Sequence, residues 1–410
     1  MILQFYGGVT RLAAPWVRRM LARRARRGKE IAERLTEREG QASLPRPPGR
    51  LIWVHAASVG ETISVLPVIE LLAARGPVLL TTGTITSARL AQQRLPAGAI
   101  HQFVPLDVPA WIGCFFDYWQ PATALFMESE IWPNLLSACD ARRIPRFLLN
   151  GRMSAKSARQ WRRIPGLARR LLGGFVAVHA QSRTDAAQFR ALGAKRVVEW
   201  GNLKFSSKPL PYSQVDFLAM QAVFTGPIWL AASTHPGEEE IINAAHHALL
   251  ADFPNLITVV VPRHPERGAQ VAALCNAAPR RSEGQPPRSG QIYIADTLGE
   301  LGLFFRLAPF AFIGNSLFDG GGHNIIEPAK LAKPVICGPS MDNFVEALAC
   351  LEETRAVTKV RNRDELVVAV GAWLTDPEAA KEAGLRAASA FSKTELLPHQ
   401  LVDLILEGEI

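Results

Sequence analysis

Acidic side chains follow two apolar stretches of this 410-residue chain at the points where each stretch ends. Glu61 comes shortly after the apolar run Leu51–Ala57, and Glu128 and Glu130 come directly after Thr123–Met127. Paired carboxylates can transfer protons as general acid and base, or they can contact sugar hydroxyls. The alternative for each carboxylate is a helix start, because the helix dipole favours negative charge in the first turn.

Residues suited to binding an anion occur mainly in the second half of the chain. Ser233 and Thr234 can cap a helix or donate to a phosphate, and Arg263 and His264 end a strand-like run just before a proline. Arginine beside exposed helix-start amides makes an anion site, so we predict a phosphate-binding edge here. Lys204, near the end of the first half, fits either a substrate-anion contact or a solvated loop.

The strongest of these signals is a run of three glycines, Gly320–Gly322. Glycine lets the backbone approach a ligand closely. His323, Asn324 and Glu327 follow at a spacing that lets them face one ligand, and a carboxylate there suits the two hydroxyls of a ribose. The alternative, a flexible turn with a helix cap, leaves Asn324 and Glu327 without a role.

Seven strand-like runs precede an interruption at Lys208–Tyr212 and six follow it, with helical patterns between them. This alternation predicts parallel strands joined by helical crossovers, in two doubly wound α/β halves with a cleft between them. We predict an N-terminal segment 1–40, a first α/β domain 41–207 and a second 208–410. Arg280–Gly290, rich in Pro, Ser and Gly, predicts a flexible insertion.

The net charge of +9 is concentrated at the N-terminus, where residues 1–40 hold ten Lys or Arg against four Glu. Apolar residues of the same stretch recur at helical spacing. Together these features predict an amphipathic helix lying in an anionic membrane surface through residues 1–28. A helix that packs on the protein's own core is the alternative. No window reaches the ~20 apolar residues of a membrane-spanning helix.

The five cysteines and the missing motifs exclude several classes of function. No cysteine pair has C-x-x-C spacing, which favours a reducing compartment. The chain lacks a phosphate-binding P-loop, an H-E-x-x-H motif and a D-x-D motif, so we predict no metal and no cofactor. The tryptophans are scattered rather than grouped with basic residues, so we predict no nucleic-acid partner.

In order along the chain, these residues resemble the 3-deoxy-D-manno-octulosonic acid (Kdo) transferase family. The resemblance rests on His55–Glu61, Thr81–Thr84, Val104–Asp107, Glu128–Asn134, Asn150–Ser154, Gly201–Lys204, Ser233–His235, Pro262–Glu266, Ala295–Glu300 and Gly322–Pro328.

The resemblance implies a GT-B glycosyltransferase with two facing Rossmann-like domains. It implies metal-independent, inverting transfer of Kdo from CMP-Kdo to a lipid A precursor, at the cytoplasmic face of a bacterial inner membrane. Glu61 is then the general base, and Glu128 and Glu130 match the family's acidic pair. The family's CMP contacts map onto Pro262, Arg263, Leu298, Gly299, Glu300, Asn324, Ile325, Ile326 and Glu327. The predicted donor site adds to them Ser233, Thr234, His264, Gly322 and His323.

The chain also departs from the family pattern. Its N-terminal apolar stretch is interrupted by Arg11, Phe318-Asp319 stands where a basic residue is common, and His235 precedes Pro236 rather than glutamate. Two other functions stay open at this point. One is a different nucleotide-sugar enzyme of GT-B fold, and the other is a basic peripheral membrane-binding protein with an inactive cleft.

Overall fold

The computed structural model describes residues 2–206, 209–224, 226–392 and 394–408. The chain divides into two compact units, one formed by Met1–Ser207 with Lys393–Ile410 and the other by Lys208–Ser392. Of the predicted linker, Lys208 lies outside the described residues.

Within the described residues, the first unit is built on a seven-stranded parallel sheet of order β3-β2-β1-β4-β5-β6-β7. Most of its strands are short, fully buried apolar runs, as expected for a parallel sheet covered on both faces. The strands are β1 Ile52–His55, β2 Val78–Thr82, β3 Ala99–Phe103, β4 Thr123–Met127, β5 Arg146–Gly151, β6 Ala177–Ala180 and β7 Val197–Glu199.

Helices cover both faces of this sheet. Large aromatic side chains fill one face, where the Trp53 ring lies 5.0–5.5 Å from the rings of Phe115, Phe116 and Phe126. The helices are α1 Ile2–Arg26, α2 Val59–Ala73, α3 Ile85–Arg94, α4 Pro109–Trp119, α5 Pro133–Ala141, α6 Ala155–Arg162, α7 Pro165–Leu172 and α8 Arg183–Ala191, with 3-10 helices at Ala32–Glu39 and Leu203–Ser206.

In the described part of the second unit, six parallel strands have the order β10-β9-β8-β11-β12-β13. They are β8 Ile228–Thr234, β9 Ile257–Pro262, β10 Ile292–Ile294, β11 Ala311–Ile313, β12 Val335–Cys337 and β13 Val357–Lys359. The helices are α9 Gln214–Val223, α10 Glu238–Leu249, α11 Gly268–Leu274, α12 Leu301–Leu307, α13 Ile326–Lys330, α14 Val345–Glu353, α15 Arg363–Thr375 and α16 Pro377–Ser392, with 3-10 helices at Pro265–Arg267, Arg281–Glu283 and Asp342–Phe344. Two doubly wound parallel sheets confirm the predicted fold class.

The last helix, α17 Leu397–Glu407, belongs to the first unit, although the sequence assigned 208–410 to one domain. Its buried residues Leu401 and Ile405 join the same apolar cluster as Val65 and Ile69 of α2. The reason is packing, because an apolar helical face must be covered and the sequence alone does not say by which partner.

Residues 1–40 also form part of the first unit rather than a separate segment. The buried Glu37 accepts a 2.7 Å hydrogen bond from the backbone N–H of Phe103. Arg38, also buried, donates to the Gly83 carbonyl at 2.7 Å and pairs with Glu30 at 3.0 Å. These buried charges fix the N-terminal segment to the ends of β2 and β3 because each charge is paired or hydrogen-bonded.

The predicted flexible insertion Arg280–Gly290 is held by ion pairs at its beginning. Arg280 pairs with Asp296 at 2.8 Å, and Arg281 pairs with Glu300 at 2.7 Å. The composition predicted flexibility because it did not reveal which carboxylates these arginines would meet.

Candidate active site

Glu61 lies in the first turn of α2, directly beyond the carboxyl end of β1. Ser58 caps the helix, and its hydroxyl donates to Glu61 Oε1 at 2.8 Å. The backbone N–H of Ala57 donates to Oε2 at 2.9 Å, so both carboxylate oxygens are oriented by short-range hydrogen bonds. The helix-start interpretation is therefore correct for Glu61, and it is compatible with a chemical role.

Burial decides the proton affinity of this carboxyl group. Glu61 is 8% exposed, and burial raises its pKa above the usual value. The hydrogen bonds from Ser58 and Ala57 lower the pKa, while the negative charges of Glu130 and Glu128 raise it further. The net effect is a raised pKa, which is a property of general bases in enzymes.

Glu128 follows β4 and is ion-paired. Lys204 Nζ lies 2.7 Å from Glu128 Oε1. Glu128 has φ 48, in the left-handed region, where a residue other than glycine costs roughly 1–3 kcal/mol. Asn150 accepts a 2.8 Å hydrogen bond from the N–H of Leu203 and so holds the turn that carries Lys204. The sequence left Lys204 undecided, and the structure brings it to the carboxylates.

Glu130 is held by two ring nitrogens. Trp132 Nε1 donates to Glu130 Oε2 at 2.5 Å, and His55 Nε2 lies 3.3 Å from the same oxygen. His55 is buried, and its Nδ1 is 3.0 Å from Thr81 Oγ1. Burial by itself raises the pKa of Glu130, but the hydrogen bond and charge of His55 and the hydrogen bond from Trp132 make the net shift downward.

The topology explains why these carboxylates meet. Strands β1 and β4 are neighbours at the centre of the sheet, where the strand order reverses. Residues beyond the carboxyl ends of two such strands converge on the crevice that binds ligands in doubly wound sheets. Glu61 follows β1, and Glu128 and Glu130 follow β4. The structure therefore brings together the three catalytic candidates of the sequence analysis.

The corresponding reversal in the second unit lies between β8 and β11. His235 follows β8, and His323 follows the loop after β11. Their Nε2 atoms are 2.9 Å apart and the rings are stacked, with centroids 5.1 Å apart. The His264 ring lies 5.9 Å from that of His235. Three imidazoles are thus grouped at the carboxyl edge of this sheet.

The charges around this histidine group favour an anion. Burial lowers the pKa of His323 to about 4, and the positive charges of His235, Arg263 and His264 contribute to the lowering. Burial likewise lowers the pKa of His235. With lowered pKa values both imidazoles are mainly neutral near pH 7, so the charge that can attract a phosphate or carboxylate to this group is that of Arg263. Arg263 and His264 are exposed, as a ligand contact requires.

Thr234, which the sequence placed in the donor site, is engaged within the protein. It is fully buried, and its hydroxyl donates to Glu239 at 3.0 Å. Ser233 has φ 57 and is partly exposed, so it stays in the candidate set. The sequence analysis missed Glu238, which is fully buried and accepts backbone N–H bonds from His235 at 3.0 Å and Asn315 at 2.7 Å. The sequence feature that could have identified Glu238 is the run of three glutamates, Glu238–Glu240, in the first turn of α10.

The glycine run serves the protein's own packing. A Cβ on Gly320 would meet the side chain of Asn315, and one on Gly322 would meet Met341. Gly322 also has φ 72, which favours glycine. The interpretation that these glycines admit a ligand to the backbone is therefore unnecessary for Gly320 and Gly322, because packing alone requires them.

Asn324 and Glu327 form one unit at the start of α13. Asn324 Nδ2 donates to Glu327 Oε1 at 3.1 Å, and Asn324 Oδ1 accepts from the N–H of Ile326 at 3.0 Å. Burial raises the pKa of Glu327, although the hydrogen bond from Asn324 and the charge of Arg263 oppose the shift. Ile325 and Ile326 are buried, so their side chains support the turn.

Beyond β10, a shallow pocket of about 240 Å³ is lined by residues of one unit. The Leu298 side chain on its rim is 84% exposed. Glu300 is held by Arg281 and by the Thr297 hydroxyl, and the hydrogen bond from Arg281 is the main reason that its pKa is lowered. The pocket is lined by Pro211, Tyr212, Ser213, Asp216, Leu298, Gly299, Glu300 and Leu303.

Among the described residues, no group of three or more His, Cys, Asp or Glu side chains is arranged to hold a metal ion. None of the helices in the described ranges combines the length and apolar character needed to cross a membrane.

The chain is similar to known proteins along nearly its whole length. A family model described as 3-deoxy-D-manno-octulosonic-acid transferase (kdotransferase) matches residues 29–207. The 3-deoxy-D-manno-octulosonic acid transferase of Haemophilus influenzae is 33% identical, over 98% of this chain and 97% of that protein. A probable mitochondrial 3-deoxy-D-manno-octulosonic acid transferase of Arabidopsis thaliana is 34% identical, over 92% of this chain and 89% of the relative.

The fold is shared more widely than the sequence. The crystal structure of UDP-GlcNAc 2-epimerase from Neisseria meningitidis bound to UDP-GlcNAc matches with a TM-score of 0.55 at 13% identity, covering 88% of this chain and 100% of that chain.

Proposed function

Because the chain belongs to the 3-deoxy-D-manno-octulosonic acid transferase family, a family of glycosyltransferases, we propose that it transfers Kdo from CMP-Kdo to a lipid A precursor. The first unit supplies the general base, and the second unit binds the donor. The observation that carries this proposal is the Glu61 carboxylate, which two hydrogen bonds orient while burial raises its pKa.

Glu61 suits the base better than its two neighbours. Glu128 is neutralised by Lys204, and Glu130 is engaged by His55 and Trp132. An ion-paired carboxylate holds a proton weakly, whereas a desolvated one with a raised pKa accepts a proton readily near neutral pH.

In the proposed step, a sugar hydroxyl of the acceptor attacks the anomeric carbon of Kdo while its proton passes to Glu61. A new carbon–oxygen bond forms, and the bond from the anomeric carbon to the CMP phosphate breaks, with its electron pair leaving on the phosphate. A single displacement of this kind inverts the anomeric centre. A positioned base contributes about 10²–10⁴-fold to such a rate.

We assign the donor phosphate to Arg263 and the neighbouring imidazoles of His235 and His323. Arg263 supplies the positive charge and the imidazoles supply N–H donors, which meet the charge that develops on the leaving phosphate. In this proposal they do so without a bound metal. Asn324 and Glu327 offer hydrogen bonds to ribose hydroxyls. The pocket at Leu298–Glu300 supplies an apolar side chain and a carboxylate that can contact the cytosine ring of CMP.

We further propose that α1 holds the first unit on an anionic membrane surface, as a peripheral contact at the cytoplasmic face of the inner membrane. Leu21 packs inward, while the exposed side of the helix carries large apolar residues at three- and four-residue spacing. Arginines continue the helix beyond them, which is typical of an interfacial helix. The exposed apolar residues are Ile2, Phe5, Val9, Leu12, Trp16 and Met20.

Flotation with vesicles that contain phosphatidylglycerol tests the membrane contact. Replacing Leu12 and Trp16 by serine should abolish flotation, because both side chains are more than 70% exposed and are therefore available to a bilayer. Replacing Val215 and Leu218, exposed on α9 of the second unit, is the matched control and should leave flotation unchanged. Equal flotation of the Leu12/Trp16 variant and the native chain would remove α1 from the membrane contact.

Mass spectrometry of the product formed from CMP-Kdo and a lipid A precursor tests the main proposal. The expected product gains the mass of one or more Kdo residues, with release of CMP. Calorimetry separates the alternative of another nucleotide-sugar enzyme, because CMP should bind and UDP should not. Binding of UDP in preference to CMP, with no Kdo transfer, would support that alternative.

A further inference from the structure

A second basic stretch lies in the middle of the chain, away from the basic N-terminus. Residues 141–184 contain eleven Lys or Arg and no Asp or Glu. Eight of these cations are exposed and form no ion pair within the described residues: Arg143, Arg152, Lys156, Arg159, Arg162, Arg163, Arg169 and Arg170. Solubility is served by charges of mixed sign, so an uncompensated cluster points to an anionic partner.

Four of these cations lie on α6 or at its two ends, and we call them the α6 stripe. Lys156 and Arg159 are three residues apart and so lie on one face of the helix. Arg152 precedes the helix, and Arg163 is its C-cap. The opposite face carries Ala158, which is buried in the core of the first unit. The α6 stripe therefore points to solvent, and its like charges repel one another at neighbouring positions.

One end of the α6 stripe lies beside the carboxylates of the candidate active site. The backbone N–H of Arg152 donates to the Glu128 carbonyl at 3.2 Å, and the Ser129 hydroxyl donates to the Arg152 carbonyl at 2.8 Å. Arg152 follows β5, whose carboxyl end lies next to that of β4. A ligand that reaches Glu128 can therefore touch the α6 stripe with another part of itself.

We propose that the α6 stripe binds a phosphate group of the acceptor, with Arg152, Lys156 and Arg159 as the contacts. This inference rests on the proposed function, in which the acceptor is a phosphorylated amphipathic sugar lipid. Guanidinium and ammonium groups donate charge-assisted hydrogen bonds to phosphate oxygens. Such contacts fix which hydroxyl is presented to Glu61, so the α6 stripe determines acceptor specificity.

The surface of α6 favours a discrete phosphate over a bilayer. A helix that lies in a membrane inserts large apolar side chains, as α1 is equipped to do. Among the described residues, α6 exposes no large apolar side chain, and its outer face holds charged and amide groups.

Two triple variants of the full chain test the proposal. The first replaces Arg152, Lys156 and Arg159 by glutamine. The matched control replaces Arg75, Arg94 and Arg143 by glutamine, which removes the same charge from the same unit. These three exposed arginines precede β2, β3 and β5 and therefore lie at the opposite edge of the sheet. Circular dichroism and thermal melting verify that both variants are folded.

Acceptor binding and turnover are measured in detergent with a phosphorylated lipid A precursor and with the same lipid after phosphatase treatment. The native chain and the control should prefer the phosphorylated lipid by about 10- to 100-fold, as expected for two or three charge-assisted contacts. The α6 stripe variant should lose this preference. Its affinity for the dephosphorylated lipid and its KM for CMP-Kdo should be unchanged.

Three results would overturn the proposal. The α6 stripe variant could keep the preference, or it could lose affinity for both lipids equally. It could also lose binding to acceptor-free phosphatidylglycerol vesicles to the same degree as to the acceptor, which would make the stripe a bilayer contact. Absence of Kdo transfer by the native chain would count against the proposed function instead, because the binding comparison needs no turnover.

Discussion

Replacement of Glu61 by glutamine separates catalysis from stability. Glutamine has the same shape, so its Oε can accept from the Ala57 N–H, and its amide group can donate to the Ser58 hydroxyl. The variant keeps the cap of α2 and loses only the ability to accept a proton. We expect the turnover number to fall by about 10²–10⁴-fold, which corresponds to about 3–5 kcal/mol in the activation free energy.

The same change should not destabilise the fold. The pKa of Glu61 is raised in the folded chain, so the folded state binds the proton more tightly than the unfolded state. The stability that this carboxyl group contributes is therefore fully present below its unfolded pKa and is lost as the pH rises through the folded pKa. At pH 8 the native chain carries the cost of a buried charge that glutamine does not, so the variant should melt at the same temperature or higher.

The assay is Kdo transfer to the lipid precursor across pH 5–9, with thermal melting of the same samples. The native rate should fall as the pH drops through the raised pKa of Glu61, whereas the residual rate of the variant should not show that limb. Calorimetric CMP affinity should match that of the native chain, because the nucleotide is assigned to the second unit. Activity within about threefold of native, or a variant that is both inactive and less stable, would refute the assignment of Glu61.

Three further outcomes follow from the site. Lys204→Met should lower the turnover number about 10- to 100-fold, because it leaves Glu128 as an unpaired charge beside Glu61. Lys204→Arg keeps the positive charge and should recover part of the lost turnover. Equal rates for the two variants would contradict this role of Lys204. Arg263→Ala should raise the calorimetric Kd for CMP about tenfold, since it removes a cation from the proposed phosphate site, and an unchanged Kd would place the phosphate elsewhere. A bound phosphate should raise the pKa of His323 from about 4, so the affinity for CMP should increase as the pH falls from 8 to 5. In calorimetry, His323→Asn should flatten this pH dependence. If the variant keeps the same pH dependence, His323 is not its source.

The order of apolar and polar residues along the chain was enough to predict the strands and the carboxylates that follow them. Short apolar runs separated by helical stretches correspond to the thirteen strands that the described residues form in two parallel sheets, because hydrophobic periodicity reports which residues must be buried. The position of Glu61, Glu128 and Glu130 just after strands was enough to place them at one sheet edge. In parallel sheets every strand ends at the same edge, so chain order and spatial proximity agree.

What the sequence left open depended on partners distant in the chain. The sequence predicted that Thr234 donates to a phosphate, whereas in the folded chain Thr234 is buried and donates to Glu239. The composition of Arg280–Gly290 predicted flexibility, whereas in the folded chain Arg281 of this stretch pairs with Glu300. Ion pairs of this kind join residues of different elements, so composition cannot identify them.

The sheets, the family and the residues that end each strand could be predicted from the amino-acid order, since these follow from local hydrophobicity and from motifs. Three other features became known only from the folded chain: α17 covers α2, burial outweighs the hydrogen bonds in raising the pKa of Glu61, and the α6 stripe begins beside Glu128. Each of these depends on which surfaces become buried against one another, and burial is a property of the packed chain rather than of any segment.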